Sequence, residues 1–193
     1  MLDTGERARL LALARQSIEC GRDRDRPMRM RNCPWPPSLL EPRATFTTLM
    51  RRGALRGCCG TIEARWALVQ DVWHNAWVSA YEDPRFPPVS PNEVVELDIA
   101  ISVLTPLEPI YARNEAELIA SLEPGVDGLV LSYGAARATF LPAVWQTIPE
   151  PFEFVARLKL KAGWSASGWW PGISALRYRA ETFHSTEIGT LAA

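Results

Sequence analysis

The sequence predicts an α+β fold with a mainly antiparallel sheet and flanking helices. Glycine-punctuated pairs of short β-branched runs read as hairpins, and longer stretches repeat apolar residues at helical spacing. The two kinds of run do not alternate one for one, as a parallel sheet requires. At 193 residues, with 47% hydrophobic and 22% charged side chains, the chain can bury a core and lacks the composition of disorder.

Asp3 or Thr4 can cap a first helix, whose face is marked by Leu10, Leu11, Ala14 and Ile18 and whose end is marked by Gly21. Residues 21–42 hold five arginines and five prolines and read as an irregular, solvated connection. A hairpin follows: ATFTTLM, a turn at Gly53, then ALRGCCGTIEA. Trp66, Val69, Trp73, Ala76, Trp77 and Ala80 form a helical stripe over 66–81, stopped by the stiff loop DPRFPP. Residues 95–104 alternate Leu97, Ile99, Ile101 and Val103, the period of a strand with one buried face. A helix is expected over about 112–122, and a second hairpin runs from Asp127-Gly128 through Gly134 to Pro142. Another helix spans 149–162, with Pro149 near its start and Gly163 after it. ISALRYRAETF reads as one late strand.

Twenty-one basic against 22 acidic side chains give a net charge of -1, so no global field gathers nucleic acid. The N-terminus lacks the uninterrupted apolar region of a signal peptide, and no apolar run approaches the roughly 20 residues that span a bilayer. The expectation is a soluble, cytoplasmic protein with neither a membrane nor a nucleic-acid partner. Cys20, Cys33, Cys58 and Cys59 form no CxxC and no zinc spacing with His74 or His184, so neither a metal nor a cofactor is expected and the thiols should be free. The chain also shows no nucleotide loop and no hydrolase elbow.

The segment LRGCCGT, residues 55–61, is the most specific one in the chain. It resembles the LRGCIGT signature of the AMMECR domain family, whose bacterial and archaeal members are called AmmeMemoRadiSam system protein A. ATFTTL, DVWHNAW, DPRFPPVSPNEV, IAISVLTPLEPI, PGVDGLVL, RATFLPAVW and LKLKAGW extend the resemblance from about residue 42 to residue 183. It implies a single two-lobed domain over 1–193, a helix and Arg/Pro-rich loop over 1–42, and a short tail over 184–193, with the signature near a cleft between unequal lobes. It also implies association with a Memo-type protein and a radical SAM protein, and it brings no established reaction. Cys59 stands where the family usually has an aliphatic residue, and Ala100 where its central strand often has an acidic one.

Among the matched positions, Cys58 is the candidate nucleophile if Arg56 or Arg85 lowers its pKa, and otherwise a small packed residue. As neighbours in a strand, Cys58 and Cys59 should face opposite ways. His74 on its helix can serve as a base or as a boundary group. Gly57, Gly60, Thr61, Asn75 and Asp83 are candidate ligand-binding positions; the two glycines can equally permit a bulge or close approach, and Asp83 can pair with Arg85. Trp164, Trp169 and Trp170, in a Gly/Ser-rich segment near Lys161, form either a docking patch or a small core. Two functions follow: an enzyme or enzyme-associated component with thiol chemistry, or a non-catalytic protein-binding adaptor.

Overall fold

The computed structural model describes residues 1–21 and 34–186. Most of the Arg-rich connection, with Cys33, and most of the C-terminal tail lie outside the described residues. The chain forms two compact units, one of residues 1–104 and 181–193 and the other of 105–180.

The first unit is a four-stranded sheet with helices on one face. Helix α1 (Thr4–Gly21) starts at a reciprocal cap: Asp3 Oδ1 accepts the Glu6 N–H at 2.8 Å, and Glu6 Oε2 accepts the Asp3 N–H at 2.9 Å. After the single-turn α2 (Pro37–Leu40), β1 (Thr45–Arg51) and β2 (Ala54–Gly60) make the expected hairpin. Its tight turn puts Arg52 and Gly53 at φ 52° and 78°, the left-handed pair that a two-residue hairpin loop demands. Helix α3 (Leu68–Tyr81) leads to a loop containing the one-turn α4 (Pro91–Val94), capped reciprocally by Ser90 and Glu93. Strand β3 (Leu97–Leu104) pairs antiparallel with β1, and β8 (Ala180–His184) completes the order β2-β1-β3-β8. Leu49, Leu97, Ile99, Ile101, Val103 and Phe183 turn toward α1 and α3, forming a core with Leu10, Ala14, Ile18, Val69, Val72 and Ala76. Each fully buried aliphatic side chain there contributes about 1.5–3 kcal/mol of transfer free energy.

The second unit has sheet order β4-β7-β5-β6: β4 (Glu108–Ile110), β5 (Gly128–Tyr133), β6 (Ala136–Phe140) and β7 (Ser174–Tyr178). All its pairs are antiparallel. Helices α5 (Glu115–Ser121) and α6 (Pro151–Lys161), with a 3₁₀ turn at Pro142–Gln146, supply Leu118, Trp145, Phe154, Val155 and Leu158 to its core. The Trp145 and Phe154 rings stack at 3.7 Å.

One sequence expectation needs correction. ISALRYRAETF is two strands, not one: it breaks at Arg179, with β7 in the second sheet and β8 in the first. Short elements, α2, α4, β4 and the 3₁₀ turn at Pro142–Gln146, arise where the sequence analysis assigned none; β4 carries Pro109 and is an edge strand, the place a sheet tolerates proline.

Candidate functional site

The LRGCCGT segment lies on β2, the edge strand of the first sheet. Leu49 pairs with Gly57 and Met50 with Leu55, so Arg56 is the extra residue of a bulge. Past the bulge, Gly57 and Cys59 face α3, whereas Cys58 shares the opposite face with Thr48, whose hydroxyl donates to its sulfur at 3.3 Å. Cys58, Thr48 and Ala100 form one cross-strand row, so Ala100 sits on the thiol's own face.

Helix α3 is stitched to this hairpin by polar side chains spaced four apart. Asp71 Oδ2 accepts from the Thr45 N–H at 2.8 Å, the Thr45 hydroxyl at 2.6 Å and Asn75 Nδ2 at 2.8 Å; its Oδ1 accepts from the Thr61 hydroxyl at 3.0 Å. Asn75 also donates to the Thr45 carbonyl at 3.0 Å. The Ser79 hydroxyl accepts the Cys59 N–H and donates to the Thr47 carbonyl, both at 2.8 Å, bridging two residues that sit opposite each other in the hairpin. Just past the helix, Asp83 Oδ2 accepts the Cys58 N–H at 2.8 Å. Asp71, Asn75, Ser79 and Asp83 are all buried. Sequence reasoning overlooked Asp71 and Ser79; the i, i+4 spacing of three polar residues within an apolar helix, continued by Asp83 just past its end, was the available signal.

Arg85 completes the clamp. Its guanidinium pairs with Asp83 at 2.6 Å and donates to the Cys58 carbonyl at 3.1 Å. Both peptide groups of Cys58 on the sheet's outer edge are therefore held by side chains rather than by another strand. These bonds from Arg85, with the Cys58 N–H, keep the Asp83 carboxyl well below the usual carboxylate range. Burial pushes the Cys59 thiol up to about 11, reinforced by the nearby Asp83 charge. Asp71 is raised by burial against the opposing pull of its hydrogen bonds.

The two proposed cation partners thus differ. Arg85 bonds the Cys58 backbone carbonyl, but Arg56 points its charge at Glu93, with Nε to Oε1 at 2.9 Å, and Arg51 meets the same carboxylate at 2.9 Å. Arg56, most directly, and the Ser90 cap hold Glu93 down to about 2. His74 is not brought to Cys58. It is carried by α3, on the face of the sheet opposite the thiol, with its ring edge-on to Trp66 at 5.1 Å.

The candidate ligand positions all make contacts within the fold. A Cβ at Gly57 would lie 2.1 Å from the Ser79 carbonyl oxygen, and one at Gly60 would lie 2.4 Å from both the Thr45 carbonyl oxygen and the Phe46 ring. Thr61 and Asn75 serve Asp71, while Asp83 serves Cys58 and Arg85. In the second unit, Trp164 and Trp169 pack half-buried against the core, and Trp170 joins Trp164 and Tyr133 with ring centroids 6.2–6.4 Å apart. Lys159, rather than Lys161, anchors this segment: fully buried, it donates to Glu115 at 2.7 Å and to the Gly168 carbonyl at 3.1 Å. Among the described residues, no helix is long and apolar enough to cross a membrane.

An antiparallel hairpin with RGC on its edge strand, clamped by a DPR loop, defines a domain class, and comparison with known proteins gives the class its name. The AMMECR1 family model matches residues 11–183, and the chain belongs to that family. A protein from Thermofilum pendens is 35% identical over 201 residues, covering 96% of this chain and 92% of its own length. One from Methanothermobacter thermautotrophicus is 38% identical over 146 residues, covering 74% and 75%. The crystal structure of the uncharacterized protein PH0010 from Pyrococcus horikoshii superposes with a TM-score of 0.84 at 33% identity, covering 91% of this chain and 89% of that one.

Proposed function

We propose that the chain is an enzyme or enzyme-associated component that works with a Memo-type protein and a radical SAM protein, with Cys58 as its working thiol in a cleft at the LRGCCGT motif. One observation carries this reading. The Cys58 backbone is fixed from both sides by Asp83 and Arg85 while its half-buried thiol is on the face of the sheet opposite α3. Rigid placement of a side chain by its supporting shell is what a reacting group needs. Cys59, raised to about 11 and turned to α3, does not compete for that role.

The test is reconstitution of the purified chain with a Memo-type and a radical SAM protein. Cys58→Ser should abolish turnover while leaving capture of the partners intact, and Cys59→Ser should leave turnover standing. Turnover unaffected by Cys58→Ser, or failure to capture either partner at micromolar concentration, sinks the reading.

The adaptor reading is favoured by a different feature, the half-exposed cluster of Tyr133, Trp164 and Trp170. Aromatic groups of this kind dominate binding at interface centres. Loss of capture in Trp170→Ala, with no thiol-dependent turnover under any condition, would establish that alternative.

A further inference from the structure

The second unit contains a cavity of about 290 Å³ lined by Thr105, Glu108, Asp127, Arg177, Tyr178 and Arg179. Four of these side chains are charged, two of each sign, so an apolar ligand finds little to match it. The size is at the lower end of small-molecule sites, roughly 300–1,000 Å³, and suits an amino acid rather than a nucleotide.

Asp127 marks the acidic end. Its side chain is only 2% exposed. Oδ2 accepts the Glu123 N–H at 2.9 Å, but the cation near Oδ1 is Arg179 Nε at 3.8 Å, beyond direct hydrogen-bonding distance. Oδ1 therefore keeps acceptor capacity at the cavity, and a ligand ammonium supplies a charge-assisted donor for it. The basic end is Arg177, which sits opposite Glu108 in the β4–β7 ladder and bonds it through Nε at 3.2 Å. That bond leaves the terminal nitrogens of the guanidinium fork for a second carboxylate. Tyr178 supplies a wall rather than a polar contact, because its hydroxyl is engaged with Thr139 at 2.7 Å and the Phe140 carbonyl at 3.0 Å.

We propose that this cavity binds a small zwitterion of the α-amino-acid class, with its ammonium group on Asp127 Oδ1 and its carboxylate on the Arg177 fork. The site is built from residues of the second unit and does not depend on the thiol reading. A ligand holding both charges gains from each end at once, whereas a single-charge fragment uses only one.

The experiment titrates the full chain with glycine and alanine, and with acetate and methylammonium as single-charge probes. It follows the amide resonances of residues 105–108, 127 and 177–179. The amino acids should give saturable shifts there and bind at least about tenfold more tightly than either fragment. Asp127→Asn keeps an oxygen for the Glu123 N–H but lacks the charge, and it should weaken amino-acid binding about tenfold. Arg177→Gln should do the same, and it tests the proposal independently if Asp127→Asn fails to fold. Absence of saturable shifts overturns the proposal. So does acetate binding as tightly as glycine, which would mark a simple anion site, or glycine binding that is unchanged in both variants.

Discussion

Asp83 Oδ2 lies 2.8 Å from the Cys58 nitrogen and accepts its N–H, so a residue 25 positions down the chain holds the edge strand where a neighbouring strand would otherwise pair. Unpaired strand edges invite association, and the Asp83–Arg85 pair closes this one at Cys58. The carboxylate is buried and also binds the Arg85 guanidinium. Asp83→Ala should therefore destabilise the first unit by about 1–3 kcal/mol in urea unfolding, because it leaves the Cys58 N–H without its acceptor, whereas the half-exposed Arg85 regains water. A loss below about 0.5 kcal/mol would show that water replaces the clamp without penalty.

Acid should act through the same two loops. Glu93 has an ordinary value of 4.5 and is held down to about 2 in the fold, and Asp83 is depressed further. A depressed carboxyl contributes stability that is fully present above its unfolded pKa and lost as pH falls through its folded one. Stability should therefore hold down to about pH 4.5 and fall progressively toward pH 2. Asp71, raised by burial, works in the opposite sense and offsets part of this loss. Glu93→Gln should flatten the pH dependence between 4.5 and 2, as read from urea midpoints; an unchanged slope would remove Glu93 as a source.

The contact between α3 and β2 gives a third prediction. Gly57→Ala drives a methyl to 2.1 Å from the Ser79 carbonyl and should cost about 3 kcal/mol or prevent folding. Ser79→Ala leaves the Cys59 N–H and the Thr47 carbonyl without their bridge and should cost about 1–3 kcal/mol. Gly125→Ala, at φ 83° with open space around it, should cost only about 1 kcal/mol. Denaturation midpoints that fail to rank Gly57→Ala as the worst would refute the close-approach explanation.

Much of this site was legible in sequence, and the illegible part has a physical reason. Alternation across β2 correctly turned Cys58 and Cys59 to opposite faces, and the apolar stripe of α3 located the helix. The polar ladder Asp71–Asn75–Ser79–Asp83 escaped because apolar periodicity is blind to buried polar residues whose partners are peptide groups distant in sequence. Thr61 and Asn75, candidate ligand positions in the sequence, both bond Asp71 in this ladder. His74 sits beside Asn75 on the same helix, but only the sheet's pairing shows that the thiol lies on the far face. The break at Arg179 escaped because alternation continues across both strands, while the change of sheet depends on pairing partners that local pattern does not encode.

The vicinal thiols should label unequally. With Cys59 raised to about 11, its thiolate is scarce at pH 8, and the thiolate is the species that alkylates. Peptide mapping after brief iodoacetamide treatment at pH 8 should find the label on Cys58 and leave Cys59 largely unmodified, with Cys59 labelling rising as pH approaches 11. Equal modification of the two at pH 8 would contradict the burial and the Asp83 charge assigned to Cys59.

Lys159 gives the last prediction, in the second unit. Its ammonium is fully buried and bonded to Glu115 and the Gly168 carbonyl, so one side chain joins α5, α6 and the tryptophan-rich turn. Lys159→Met removes the charge while keeping most of the side chain's bulk, and it leaves the Glu115 carboxylate, 18% exposed, without its partner. The expected cost is about 3 kcal/mol, with weakened near-ultraviolet circular dichroism from Trp164 and Trp170 as the Gly168 tether is lost. Adding Glu115→Gln should recover part of the stability by removing the unpaired charge, but not the tryptophan signal, because the bond to Gly168 is still absent. If Lys159→Met alone matched the wild type in both readouts, the ion pair would not be what holds the turn, and packing of Trp164 and Trp169 against the core would have to suffice.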